Sequence, residues 1–368
     1  MDLNFVVSLT IAIFMFILGI IFIVQSIIKK RTAYVFTSSM FIGMIASLIE
    51  VFRVSKLPNL DFNSSVLLVI HLSFWCLMYL LSLIFFIQLE KEKILSYILP
   101  VVMIIYVLHI TFGIFWIYSG SFPDQAQSTI TMLWDLTYAL MGILTFSYGA
   151  YVHFKTGIKA HEKEGYLLGG ALILISIGFL LGFIKDLGVK VDIQSIPVGE
   201  VLKLIGIFTF IIFYIAKPDY IFRLPFQITS VLVFNRLGML IYSAQYLTED
   251  GDEEIDPDDT SMELITAAVN AFSTFMKETT GSEEPLKRVK TGDKLLIVEQ
   301  GDKCSIAIIS TSSSYFMIQS MRKVIKELEK RYEKELELDY TDSTFFNEVP
   351  KLISYSFPFL GIPKKELY

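Results

Sequence analysis

Seven stretches of this chain are almost uninterruptedly apolar: 4–28, 33–53, 65–88, 94–117, 129–153, 165–184 and 198–216. At a rise of 1.5 Å per residue, about 20 residues cross a hydrocarbon layer of roughly 30 Å. Lipid leaves no partner for a free N–H or C=O, so such a stretch must close its own hydrogen bonds as a helix. The pattern therefore predicts a seven-helix bundle over residues 1–217. The first run reads as a span rather than a cleaved leader. It opens Met1-Asp2-Leu3-Asn4 without a basic start and is followed by Lys29-Lys30-Arg31 instead of a small-residue cleavage site.

Composition divides the chain at the same place. Overall 54% of the residues are hydrophobic and 18% charged, too oily for an ordinary soluble domain. Residues 1–217 carry a net charge of +2 and residues 218–368 a net charge of −8. An acidic second half does not offer the clustered Lys and Arg that a nucleic-acid partner needs. Cys76 and Cys304 lie in different halves and make no disulfide framework.

The loops predict the orientation. Lys29-Lys30-Arg31, Lys91, Lys93, Lys155, Lys159, Lys163, Lys217 and Arg223 fall on one side. The other side has only Lys56, Lys185 and Lys190. The lysine-rich side is cytoplasmic by the positive-inside rule, so the N-terminus is outside the cell membrane and residues 218–368 are inside. Asn63-Ser64-Ser65 on an outer loop is a glycosylation triplet of the kind that arises by chance.

Threaded in that direction, the ionisable residues of the spans collect in the outer third. They are Glu50 and Arg53, His71, His109, Asp135 beside Trp134, Lys185 and Asp186, and Glu200 with Lys203. A charge in hydrocarbon is kept only with a partner or water. Charges near helix ends also reach the interface by themselves and then need no function. Against that background we expect Glu50, Arg53, His71, His109, Trp134, Asp135, Asp186, Glu200 and Lys203 to line a ligand pocket open to the outside. Glu50/Arg53 and Glu200/Lys203 have i,i+3 spacing and can pair on one helix face.

Several chemistries have no residues to carry them. There is no His-Glu-x-x-His run, no phosphate-binding Gly-x-x-x-x-Gly-Lys loop and no Gly-x-Ser-x-Gly elbow. Helix 3 ends Ile87-Gln88-Leu89-Glu90 and helix 7 ends Tyr214-Ile215-Ala216-Lys217-Pro218, neither in the G-protein-coupled receptor pattern. Lys203 is the only lysine inside helix 7 and helix 3 offers it no acidic counter-ion, which argues against a retinal Schiff base. No enzyme, cofactor or metal is expected.

Beyond Pro218 and Pro225 the periodicity changes. Residues 227–235 (QITSVLVFN) and 239–246 are β-branched and aromatic, and Asn235-Arg236-Leu237-Gly238 between them fits a type I turn with a left-handed glycine. An acidic segment follows, eight acids in the eleven residues 249–259. Pro257 stands where a calcium loop needs glycine-like freedom, and no bidentate glutamate is suitably spaced, so the segment reads as solvated. Thr260 and Glu263 make a capping box for a helix over 261–279, with Ile265, Ala268, Val269, Phe272, Phe275 and Met276 on one face. Three strand-like runs come next, 286–290, 294–299 and 304–311. A helix over about 315–338 with Met317, Met321, Val324, Ile325, Leu328, Tyr332 and Leu336 on one face follows, then a short helix near 344–356.

Strand, strand, helix, three strands, helix is the order in which this half resembles roadblock/longin-like domains. The resemblance is carried by VLVFNRLGMLIYS, ELITAAVNAFSTFMKE, GDKLLIVEQGDKCSIAIIS and KVIKELEKRYEKELE, about 130 residues in all. It implies a platform that dimerises or binds a small GTPase, with no catalytic residue. The long acidic segment and the C-terminal tail depart from roadblock regulators. The membrane half is similar to the seven-helix N-terminal regions of prokaryotic sensor proteins. The expected architecture is thus a multi-pass α-helical membrane bundle over 1–217, a linker over 218–226, and a cytoplasmic α+β domain of roadblock/longin type over 227–368. The expected function is a sensor or signalling scaffold in the lipid bilayer, answering an extracytosolic or lipid ligand and passing the signal through helix 7 and the linker. A transporter or channel with a regulatory domain is the alternative, and it would need polar residues through the full depth of the bundle.

Overall fold

Each apolar stretch forms one helix. They are α1 (Leu3–Ile28), α2 (Tyr34–Ser55), α3 (Ser64–Glu90), α4 (Ile98–Tyr118), α5 (Asp124–Lys159), α6 (Lys163–Asp186) and α7 (Val198–Ala216). All seven are long and apolar enough to cross a membrane. The structure is a computed structural model that describes residues 3–28, 33–55, 64–93, 97–118, 123–159, 163–189, 197–246, 287–292, 294–337, 343–357, 359–360 and 363–367, together with 267, 271 and 278. The acidic segment and nearly all of the helix expected over 261–279 lie outside the described residues.

The bundle closes on itself. Along the chain α1 packs on α2, α2 on α3, α3 on α5, α5 on α6 and α6 on α7, and α7 returns to α1. Helix α4 lies against α3 and α5 and turns Val101, Met103, Ile104, Val107, Ile114 and Phe115 outward. In a bilayer that face meets lipid tails at no cost. Helix α5 has 36 residues, a length of about 54 Å, so its ends stand well clear of a hydrocarbon layer.

Helices α6 and α7 touch backbone to backbone. A Cβ on Gly206 would sit 2.5 Å from the Ala171 carbonyl oxygen, and one on Gly178 would sit 2.6 Å from that of Gly199. With no hydrophobic drive between helices in lipid, such close approach is a main source of van der Waals attraction. In the half of the bundle nearer the C-terminal domain, the centre is filled by rings. Phe36 lies 4.7 Å from Phe85, 5.3 Å from Phe22, 6.2 Å from Phe210 and 5.7 Å from Tyr214, measured between centroids.

Lys217 ends α7, and the linker becomes a 3-10 turn over Pro218–Phe222 that Pro218 starts. Tyr220, Phe222, Leu224 and Phe226 are all buried. The linker is a packed element.

That domain is an antiparallel sheet, β1 (Ile228–Asn235), β2 (Leu240–Tyr246), β3 (Arg288–Thr291), β4 (Lys294–Gln300), β5 (Cys304–Ser310) and β6 (Pro363–Leu367), in the spatial order β3-β4-β5-β1-β2-β6. Five strands match the five expected runs within one or two residues. The sixth went unpredicted: Pro-Lys-Lys-Glu-Leu has neither alternation nor branching, and it is a strand because the open edge of β2 pairs with it. The β1–β2 hairpin turns as expected. Gly238 has φ of 83° and its N–H donates to the Asn235 carbonyl at 3.0 Å. The Asn235 side-chain oxygen also accepts from the N–H groups of Leu237 and Met239, at 3.0 and 2.9 Å.

The strands alternate. Val231, Val233, Ile241, Ile297, Ile306 and Ile308 face one side, and Leu232, Phe234, Val298 and Ala307 face the other. Both sets are buried. On the first side lie α8 (Tyr315–Arg331), capped by the Ser314 hydroxyl, and α9 (Val349–Ser356). Helix α8 ends earlier than its apolar stripe. Tyr332 leaves helical geometry at φ −119° and sets its ring 5.0 Å from Phe346.

The two halves share one core, which runs without a break from Phe36, Phe85 and Tyr214 through Tyr220 and Phe222 to Val231, Ile306 and Met317. Phe316 bridges it, 5.7 Å from Phe85 in α3 and 6.5 Å from Phe222 in the linker. Polar contacts fasten the same seam. The Tyr315 N–H donates to the Lys91 carbonyl at 3.0 Å, the Ser313 hydroxyl donates to Glu92 at 3.2 Å, and Arg288 pairs with Glu92. The link between the halves therefore runs through the end of α3 as well as through α7.

Candidate functional site

The end of the bundle farthest from the sheet holds a cavity of about 290 Å³. Helix α3 supplies Leu72, α5 supplies Asp135, Tyr138 and Ala139, α6 supplies Phe179, Lys185 and Asp186, and α7 supplies Glu200 and Lys203. The local reason is the glycine contact between α6 and α7. Gly178 and Gly199 let these helices approach there, so the longer side chains one turn away converge on one space.

Its polar groups are arranged unequally. The Lys203 ammonium donates to Glu200 at 2.6 Å and lies 5.0 Å over the Phe179 ring. The Lys203 side chain is 15% exposed and that of Glu200 60%, so the pair is anchored at the rim. Asp135 is half-buried, and its side chain has no hydrogen bond or ion pair among the described residues. Tyr138 donates to or accepts from the Tyr79 hydroxyl at 3.1 Å behind the cavity wall.

The nine residues expected to share one pocket fall into three groups. Asp135, Asp186, Glu200 and Lys203 line the cavity. Glu50 and Arg53 form a two-armed ion pair on α2, both arms 2.7 Å, and His71 lies 3.9 Å from the same carboxylate. The other ring nitrogen of His71 meets the Ala46 carbonyl at 2.8 Å, tying α3 to α2. His109 and Trp134 stack at 5.7 Å between α4 and α5, and His109 meets the Thr137 hydroxyl at 3.2 Å. His109 Nε2 and Trp134 Nε1 are buried without a hydrogen-bond partner among the described residues. Both i,i+3 pairs form as their spacing required. Helix depth alone could not say which helices stand side by side.

Two groups at the opposite end escaped the sequence reading. Glu90, the last residue of α3, is 2% exposed at its side chain. It accepts from Tyr148 at 2.6 Å, Lys155 at 2.7 Å and Tyr151 at 3.2 Å. The signal was present: 148, 151 and 155 lie on one face of α5, ready for an acid on a neighbour. His153 on the same helix meets the Tyr214 hydroxyl at 3.3 Å and stacks on Tyr220 of the linker at 6.2 Å. Only the packing of α3, α5, α7 and the linker brings these residues together.

The fold and the cavity define a class: a seven-helix bundle of membrane-spanning length, hollow at one end and packed against a sheet domain at the other. Compared with protein families, curated proteins and solved structures, the chain matches none of them.

Proposed function

We propose that the protein is a membrane-embedded sensor or signalling scaffold. Its cavity opens to the outside and takes an extracytosolic or lipid ligand. Its sheet domain lies in the cytoplasm and works as a roadblock/longin-like platform for a small GTPase or a second copy of itself. The lysine-rich turns at the sheet end of the bundle support this orientation. The strand and helix order of the sheet domain supports the platform.

One observation carries the reading: α3 touches both ends. Leu72 lines the cavity, Phe85 of the same helix lies 5.7 Å from Phe316 of the sheet domain, and Lys91 and Glu92, just past the end of the helix, hold that domain. A ligand that favours one placement of α3 against α5 and α7 biases the sheet domain by its difference in affinity for the two placements. The packed rings around Phe36 stand between the cavity and the cytoplasmic end, and they favour sensing over passage of a solute.

The test uses the full chain in lipid nanodiscs. Small GTPases from the same genome, loaded with GDP or a GTP analogue, are offered to it, and its own association is followed by sedimentation. Capture in one nucleotide state, or a defined dimer, supports the platform. A monomer that captures neither state sinks it.

A further inference from the structure

Among the described residues, the charges around the cavity do not balance. Three carboxylates, Asp135, Asp186 and Glu200, meet two lysines. Both lysines are engaged: Lys203 is bound to Glu200 at 2.6 Å, and Lys185 has a partner within the protein. Asp186 has the charges of Lys203 and Lys185 nearby, whereas Asp135 has no hydrogen bond or ion pair among the described residues. Asp135 sits about two turns into the apolar part of α5, where an unmatched charge is costly.

Resting on the sensor reading above, we propose that this cavity binds an organic ammonium ion, with its charge on Asp135 and its apolar body against Tyr138 and Phe179. Four features of the walls select that chemistry. The free sites are acceptors, so the ligand is a donor of positive charge. An anion would have to displace Glu200 from Lys203. The described carboxylates and histidines do not converge as three ligands on one point, which disfavours a metal ion. The ring of Phe179 already carries an ammonium, that of Lys203, at 5.0 Å, and ring faces attract cations where water is scarce. A cavity of about 290 Å³ limits the body to a ring or a short branched chain. The ammonium can belong to a free amine or to an aminolipid headgroup.

The full chain, in nanodiscs of phosphatidylglycerol alone, is titrated with benzylammonium chloride, and with benzyl alcohol and benzoate as isosteres. Binding is read from the fluorescence of Trp134, the neighbour of Asp135, and from the melting temperature. Benzylammonium is expected to saturate at roughly 1 mM, and the two isosteres at least about ten-fold higher. Asp135→Asn should weaken benzylammonium by about ten-fold or more and leave benzyl alcohol unchanged, while Asp135→Glu keeps part of the affinity. If Asp135→Asn fails to fold, Asp186→Asn and Asp135→Glu carry the comparison, each weakening only the cation.

Adding phosphatidylethanolamine to the nanodisc separates the sources. A raised apparent Kd for benzylammonium assigns the ammonium to a headgroup, and an unchanged one assigns it to a free amine. Equal affinity for alcohol and ammonium, or a cation response untouched by any of these substitutions, overturns the proposal. This readout does not involve the sheet domain, so loss of GTPase capture with amine binding intact counts against the sensor reading alone.

Discussion

Replacing Glu90 should loosen the joint between the bundle and the sheet domain, and its magnitude follows from the contacts. Glu90→Ala removes the acceptor of one ammonium, at 2.7 Å, and of two hydroxyls, at 2.6 and 3.2 Å. Breaking a fully buried ion pair costs about 3–5 kcal/mol, because the surviving charge stays in a poor solvent. Lys155 is 20% exposed at its side chain and can be partly rewetted, so the lower end, about 3 kcal/mol, applies. That is roughly a hundred-fold in the folding equilibrium. A double-mutant cycle isolates the pair: Glu90→Gln, Lys155→Met and both together, unfolded with SDS in mixed micelles and followed by circular dichroism. The expected coupling is about 1.5–3 kcal/mol, the range of a hydrogen bond to a charged group. In Glu90→Ala the Tyr315 amide, which donates to the neighbouring Lys91 carbonyl, should also exchange hydrogen faster. A coupling below about 0.5 kcal/mol would mean the cluster behaves as a solvated surface pair, and the reasoning would be wrong.

Gly206→Ala must push α6 and α7 apart, because its Cβ would meet the Ala171 carbonyl oxygen at 2.5 Å; a loss of about 1–3 kcal/mol is expected in the same assay, against no effect for Gly170→Ala, where nothing lies within 4 Å. Asn235→Ala leaves the Leu237 and Met239 N–H groups without their acceptor and should cost about 1–3 kcal/mol, read as a lower melting temperature of the full chain. Burial pushes the Cys304 thiol up to about 12 from its ordinary 9.0. The folded chain thus keeps a proton that the unfolded chain releases, so Cys304 contributes stability that is complete below pH 9.0 and falls as pH rises toward about 12. Cys304→Ala should flatten the decline of melting temperature above pH 9.0, and in the wild type maleimide should label Cys304 only on unfolding.

The helices and strands were legible because their causes are local. An apolar run of membrane length admits only a helix, and VLVFN-RLG-MLIY contains its own turn, with a glycine where the backbone needs a positive φ. The strand Pro363–Leu367 was not legible, since its only cause is the edge of β2. The sites divide in the same way. Glu50 with Arg53 and Glu200 with Lys203 are neighbours along one helix, so spacing alone paired them. Glu90 with Lys155, and His153 with Tyr220, are far apart in sequence, and nothing in the sequence said that α5 would rise between α3 and the linker.

By itself, then, the sequence determined that seven segments form helices long and apolar enough to cross a membrane, that a sheet domain follows them, and that Glu50 pairs with Arg53 and Glu200 with Lys203. Those outcomes depend on solvent and on hydrogen bonds within a few residues. Which of the ionisable groups share a cavity, and that α3 joins that cavity to the sheet domain, was decided by packing. The choice depends on where glycines permit close approach and where rings fill the remaining space. Those are properties of pairs of helices, which the order of residues along any one of them does not contain.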